Sequence, residues 1–169
     1  GPRAVAVGEG IPDSLLLVSE TMQHAPDPHI WFDLQLWMHA AETVRAALEA
    51  KRPAAATLFK GNSERTRARL ALLHSRILAA VETLPPDRRV LVSSHDAFRY
   101  FGRAYGVKGK GLQCISTASE AGTRDVQRLA SSIVSAELPA IFVESSVPRR
   151  TMEAVLAAVK SQGHDCVLG

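Results

Sequence analysis

Two histidines in this sequence lie where a loop meets a helix, and their residue type makes them candidate metal ligands. His29 follows the pair Asp27-Pro28 and precedes Ile30-Trp31-Phe32. His95 follows the apolar run Val90-Leu91-Val92 and two serines. Proline restricts the backbone ahead of His29, and a neutral imidazole is a common ligand for zinc that manganese also accepts. We therefore treat His29 and His95 as candidate ligands of one shared ion.

Each histidine also has an ordinary structural interpretation, because either could cap a helix or hydrogen-bond a carbonyl. Ser94-His95-Asp96 superficially suggests a hydrolase triad, but three consecutive side chains point in different directions, whereas triad members must face one another. The sequence also lacks the Gly-x-Ser-x-Gly nucleophile motif. We assign the four remaining histidines to surface or packing positions: His24, His39, His74 and His164.

Several carboxylates are placed where they could orient a ligating histidine. A metal-bound imidazole usually donates its second ring N–H to a carboxylate or carbonyl. Glu144 after Ile141-Phe142-Val143, Glu120 and Asp33 are candidates for that role. Helix capping is the alternative for both glutamates, and turn formation is the alternative for Asp27, which also flanks His29.

Apolar periodicity in the first half predicts the elements that position His29. Apolar residues recur at three- and four-residue steps after Asp33, which is typical of a helix with one buried face. We expect a strand at Ala4–Val7, a helical turn within Ser14–Val18, a helix from Asp33 to the residue before Pro53, a short helix at Ala54–Lys60, a break at Gly61-Asn62, and a long helix from Ser63 to Leu84.

The second half alternates short β-rich runs with amphipathic segments. The expected strands are Val90–Ser93, Gly111–Ile115, Ala140–Val143 and Cys166–Leu168, and the expected helices are Phe98–Tyr105, Arg124–Ala136 and Thr151–Ser161. This alternation predicts an α/β fold with a parallel sheet and covering helices. Ligands of such sheets bind at the carboxyl ends of the strands, where His95, Ser116–Glu120 and Glu144 all fall.

Composition excludes several classes of function. The chain has 169 residues, 46% hydrophobic and 5% aromatic, with a net charge of +3. Scattered basic residues and few aromatics argue against nucleic-acid binding, and Gly106–Gly111 lacks the phosphate-binding motifs. No apolar run reaches the roughly 18 residues of a membrane span, and no signal peptide opens the chain. We expect Cys114 and Cys166 to be free thiols in one sheet, with a disulfide between them as the alternative.

Four segments together resemble a known family: Asp27–Asp33, Ser93–Phe98, Gly111–Glu120 and Ile141–Ser146. They closely resemble the TroA-like zinc/manganese solute-binding proteins of bacterial ABC importers. The resemblance implies the remainder of an N-terminal metal-binding lobe at 1–62, a rigid linker helix at 63–84 and a C-terminal α/β lobe at 85–169. It also implies a periplasmic or lipid-anchored receptor, without enzymatic activity, that delivers Zn(II) or Mn(II) to an ABC permease.

The same resemblance implies four metal ligands, two from each lobe, of which His29 and His95 are present. The others are expected to be a histidine upstream of Gly1 and an aspartate after Gly169. The chain is therefore expected to be an internal fragment whose metal affinity is weakened, because neither ligand is replaced.

Two further expectations follow. An incomplete first lobe should leave an apolar patch that promotes self-association, formed by Val5, Val7, Leu34, Trp37 and Val44. The alternative function is a metal-dependent hydrolase that uses His29 and His95 as ligands and Glu144 as general base, because three protein ligands with an open water position suit catalysis.

Overall fold

The fold is α/β, and the computed structural model describes residues 4–19, 25–113, 122–145 and 148–169. Within these ranges the helices are α1 (Leu34–Lys51), α2 (Ala56–Glu82), α3 (Arg99–Tyr105), α4 (Thr123–Ser135) and α5 (Arg149–Ser161). The strands are β1 (Val90–His95), β2 (Lys108–Gln113), β3 (Ala140–Ile141) and β4 (Val167–Leu168). None of the helices in the described ranges has both the length and the apolar character needed to cross a bilayer.

The strands pair in parallel, as the alternating pattern predicts. β1 pairs with β2, with Ser93 opposite Gly111, and β3 pairs with β4. A parallel bridge between Ser93 and Phe142 joins the two pairs, giving the order β2-β1-β3-β4. Because all four strands run the same way, their carboxyl ends meet at one edge, where β1 ends at His95 and β3 leads to Glu144.

Helices α4 and α5 pack on this sheet to form the main apolar core. Val92 of β1 and Ile141 of β3 are buried against Ile133 of α4 and Val155 of α5. The strands are apolar on the covered face because two layers of secondary structure must exclude water between them. This core fixes β1, and therefore the position of His95.

A second, smaller core joins the first half of the chain to α3. Its fully or nearly buried members are Ile11, Ile30, Leu36 and Tyr100. Tyr100 lies on the helix that follows His95, whereas Ile30 is the residue after His29. This small apolar cluster thus joins the two segments that carry the candidate ligands.

The opening segment differs from its prediction. Ala4–Val7 is not a strand: residues 4–6 lack regular structure and Val7–Gly10 forms a 3-10 turn. Its hydrogen bonds are local, since Glu9 donates to the Ala6 carbonyl and Ile11 to the Gly8 carbonyl. A second 3-10 turn, Asp13–Leu15, falls where a helical turn is predicted.

The break predicted at Gly61-Asn62 is also wrong. A single helix, α2, runs through both residues, and a 3-10 turn at Pro53–Ala55 separates it from α1. Glycine inside a helix costs only about 1 kcal/mol relative to alanine, which packing readily offsets. Here α2 packs along α1, and the Asn62 side chain accepts a hydrogen bond from Arg65.

An apolar groove of about 440 Å³ runs between α1 and α2. Trp37, Val44 and Leu48 line it from α1, and Phe59 and Leu70 line it from α2. The predicted patch is therefore present in part: Val5, Trp37 and Val44 are exposed, whereas Leu34 is buried. Val7, the remaining residue of the predicted patch, is half-buried and lines the groove.

Gly111 offers a direct test of how tightly β2 approaches the end of β1. A Cβ at Gly111 would overlap the backbone carbon of His95 and the backbone nitrogen of Asp96, whereas a Cβ at Gly109 would lie 3.7 Å from its nearest neighbour, the Phe98 carbonyl oxygen. We predict that Gly111→Ala lowers the free energy of unfolding by about 1–3 kcal/mol, as overpacking does. Urea denaturation measures this, with Gly109→Ala as the matched control, and equal destabilisation of both variants would contradict it.

Candidate metal centre

The structure brings His29 and His95 together. Their ring centroids lie 5.3 Å apart, with the ring planes tilted by 60°. Both residues are buried, with exposed fractions of 6% for His29 and 7% for His95. His29 ends the loop before the 3-10 turn Ile30–Phe32, and His95 ends β1.

Asp27 holds the His29 ring in one orientation. Its Oδ1 accepts hydrogen bonds from the His29 backbone nitrogen at 3.0 Å and from Nδ1 at 2.8 Å. Because a carboxylate accepts, Nδ1 must carry the proton, and the lone pair of the neutral ring is then on Nε2. Nε2 is the atom left to bind a metal.

Glu144 lies in the same relation to His95. Its Oε1 accepts from the His95 backbone nitrogen at 3.2 Å, and its Oε2 lies 2.7 Å from Nδ1. That second contact has the distance of an ion pair but not the angle of a hydrogen bond, so Nδ1 is buried without a hydrogen-bond partner among the described residues. The attraction at His95 is therefore electrostatic, and less directional than that at His29.

The other candidate carboxylates have different positions. Asp33 caps α1, where its Oδ1 accepts from the backbone nitrogens of Gln35 at 3.0 Å and Leu36 at 3.4 Å, and its Oδ2 lies 3.3 Å from Arg103 Nη2. It has no contact with His29 in the structure, where Asp27 takes that position. Glu120 falls outside the described residues, as does the Ser116–Glu120 loop.

Two residues of α3, Arg99 and Tyr100, surround Asp27 and were not singled out from the sequence. The Tyr100 hydroxyl donates to the Asp27 carbonyl at 3.0 Å, and Arg99 Nη1 lies 3.5 Å from Asp27 Oδ2. Asp27 is fully buried, so its charge needs such partners. The only sequence signal was polar residues on the first turn of the helix after His95.

The immediate surroundings of the two rings are partly apolar. Trp31 packs edge-on against His29 at 5.3 Å between ring centroids, although Trp31 itself is exposed. Nearby, burial raises the pKa of the Asp96 carboxyl above its usual value, and the positive charge of Arg99 partly offsets this effect. The space around the imidazoles therefore disfavours uncompensated negative charge.

The other histidines and the cysteine among the described residues lie away from His29 and His95. His74 contacts the Tyr105 hydroxyl at 3.1 Å through Nδ1, and His164 contacts the Leu138 carbonyl at 2.9 Å. His24 and Cys114 fall outside the described residues. Cys166 is a free, half-buried thiol whose pKa is raised by burial.

The donor set fits a metal ion that takes further ligands from elsewhere. Over the described ranges, no three His, Cys, Asp or Glu side chains are grouped closely enough to hold a metal. Two imidazoles with their Nδ1 atoms against carboxylates are nevertheless the usual arrangement of histidine ligands. The pair supplies two of the four donors of a tetrahedral zinc site.

Comparison with known proteins identifies the family. Residues 2–168 match the family described as ZnuA, zinc-uptake complex component A, periplasmic. The chain belongs to this family. It is 43% identical over 165 residues to the zinc-binding protein TroA of Treponema pallidum, a match that covers 98% of this chain and 53% of TroA. It is 37% identical over 167 residues to the manganese-binding lipoprotein MntA of Bacillus subtilis, covering 99% of this chain and 54% of MntA.

Comparison with solved structures agrees with the family assignment. The solved structure of the periplasmic zinc-binding protein TroA from Treponema pallidum superposes with a TM-score of 0.93 at 43% identity, covering 98% of this chain and 59% of that one. This confirms the predicted α/β fold and the predicted family. The chain spans about half the length of the curated relatives it matches. Family members are substrate-binding proteins rather than enzymes, and those named here are periplasmic or lipoproteins.

Proposed function

We propose that this chain forms part of an extracytoplasmic solute-binding protein that captures Zn(II) or Mn(II) for an ABC importer. His29 and His95 donate their Nε2 atoms to the ion, which is cargo rather than a resident cofactor. The observation that carries the proposal is the pair of buried imidazoles 5.3 Å apart, each with Nδ1 against a carboxylate.

The carboxylates behind the rings explain how the pair binds a cation. Asp27 and Glu144 favour the tautomers that leave Nε2 unprotonated, and their negative charge makes each ring a stronger donor. The arrangement needs no side-chain rearrangement at His29, because Asp27 already fixes the ring. Nitrogen ligands favour zinc, while manganese prefers a larger share of oxygen ligands.

The hydrolase alternative has less support. A general base must reach the proton it removes from a metal-bound water. Glu144 instead contacts the backbone nitrogen and Nδ1 of His95, on the side of the ring remote from Nε2. The carboxylate is thus engaged in supporting a ligand, and binding without turnover is the function we propose.

The names of the relatives support a proposal for the partner and the location. Their names describe periplasmic proteins and lipoproteins that bind zinc or manganese. We therefore propose that the full protein works outside the cytoplasm, free or lipid-anchored, and docks on the permease of a metal importer. Two further ligands, a histidine and an aspartate outside this chain, complete the site.

Zinc titration tests the site directly. We predict weak Zn(II) binding by this chain, and loss of more than about 100-fold in affinity in His29→Ala and His95→Ala, because even changes to the carboxylates behind metal-bound histidines cost about 10–100-fold. Titration calorimetry at fixed pH measures the Zn(II) affinity of each chain. A chain extended to include the upstream histidine and the downstream aspartate should bind far more tightly, since four ligands close the site.

His39→Ala and His74→Ala are the matched controls for this titration. Both remove an imidazole from a helix, and neither side chain contacts His29 or His95 in the structure. They should leave zinc affinity unchanged. Equal affinity of the chain and its extended form, or binding that survives both His29→Ala and His95→Ala, would reject the proposed site.

We also propose that a second copy of the chain covers the apolar groove between α1 and α2. Exposed Trp37 and Val44 lie in that groove, and apolar surface of this kind favours association. Sedimentation velocity over a concentration series should show dimers, and Val44→Glu should weaken them at least about tenfold by burying a charge. Leu72→Glu, an exposed position of α2 outside the groove, is the control. A monomer at every concentration would exclude this association.

A further inference from the structure

The buried loop that carries His29 is anchored by the helix that follows His95. Tyr100 is fully buried, and its hydroxyl accepts from the Leu17 backbone nitrogen at 2.9 Å while it donates to the Asp27 carbonyl at 3.0 Å. Burial raises the pKa of Tyr100, so the hydroxyl stays protonated and able to donate. One side chain of α3 therefore hydrogen-bonds two backbone groups of the segment ahead of His29.

Arg99, the neighbouring residue, holds the other end of Asp27. Its Nη1 donates to the Val18 carbonyl at 3.1 Å and lies 3.5 Å from Asp27 Oδ2. Asp27 uses Oδ1 for His29 and turns Oδ2 to Arg99, so the two oxygens have separate partners. Without Arg99, the fully buried carboxylate would carry an uncompensated charge, which favours its displacement toward water and weakens its hold on Nδ1.

We propose that Arg99 and Tyr100 are positioning residues of the metal site, which fix the tautomer and direction of His29 by holding Asp27. The inference rests on the function proposed above and adds to it a mechanical link between the two ligands. His95 ends β1, and α3 begins shortly afterwards with Arg99 and Tyr100 on its first turn. β1 and α3, which are adjacent in the chain, thus position both histidines.

The same helix contains a matched control. Arg103 Nη1 donates to the Leu15 carbonyl at 2.7 Å, and Nη2 lies 3.3 Å from Asp33 Oδ2. Like Arg99, it joins α3 to a backbone carbonyl of the opening segment and to an aspartate. Two differences remain: Asp33 caps α1, whereas Asp27 contacts His29, and the Arg103 guanidinium lies 5.1 Å from the centroid of the Tyr100 ring, a ring that Tyr100→Phe keeps. Substituting either arginine removes one positive charge, so the general electrostatic effect is matched.

The experiment compares Arg99→Gln, Tyr100→Phe and Arg103→Gln in the metal-free chain. Long-range proton–nitrogen NMR at about pH 8.5, above the usual histidine pKa of about 6.5, reports which ring nitrogen of His29 is protonated. We expect a single Nδ1–H tautomer in the unmodified chain and in Arg103→Gln. Arg99→Gln and Tyr100→Phe should show a mixture of tautomers, and zinc affinity in these two should fall by about tenfold or more.

The tautomer measurement separates this inference from the function on which it rests. If the unmodified chain binds no zinc, the metal proposal fails, while the tautomer comparison still decides whether Arg99 and Tyr100 position His29. If Tyr100→Phe does not fold, Arg99→Gln, whose side chain is partly exposed, decides it alone. An unchanged His29 tautomer in Arg99→Gln, or an equal change in Arg103→Gln, would overturn the inference.

Discussion

The buried carboxylate of Asp27 is the constraint around which the candidate site is arranged. A charge removed from water needs paired charge and hydrogen bonds, and the Asp27 carboxylate obtains them from the backbone nitrogen and Nδ1 of His29 and from Arg99. The Asp27 backbone nitrogen donates to Leu17, and its carbonyl accepts from Tyr100. The carboxylate and the backbone of Asp27 together therefore join the opening segment, the His29 loop and α3.

The parallel sheet supplies the second half of the arrangement. β1 is pinned between β2 and β3, and its last residue is His95. Glu144 follows the neighbouring strand, so its carboxylate reaches the backbone nitrogen and the ring of His95 from the side. Each histidine thus has a carboxylate against its Nδ1. A local Asp-Pro-His loop provides it for His29, and two adjacent strand ends provide it for His95.

Much of this could be predicted from the sequence, and the exceptions have physical reasons. The order of strands and helices after Pro85 follows from the alternation of short apolar runs, although β2 begins at Lys108 rather than at Gly111, because the polar residues Lys108 and Lys110 also pair with β1. The two histidines follow from residue type and placement. The predicted strand at Ala4–Val7 was wrong because apolar composition does not reveal whether a strand has a neighbour to pair with. The predicted helix break at Gly61 was wrong because packing of α2 on α1 overrides the weak local preference of glycine. Asp27, rather than Asp33, lies behind His29, a choice that depends on loop geometry that spacing cannot resolve.

The central claim is that one ion is shared by the Nε2 atoms of His29 and His95. Anomalous diffraction at the zinc absorption edge, on crystals of this chain soaked in Zn(II), locates the metal without any assumption about the ligands. We predict a single strong peak between the two rings, about 2.0–2.1 Å from each Nε2. A zinc peak bound elsewhere, with the space between His29 and His95 empty of anomalous density, would contradict it.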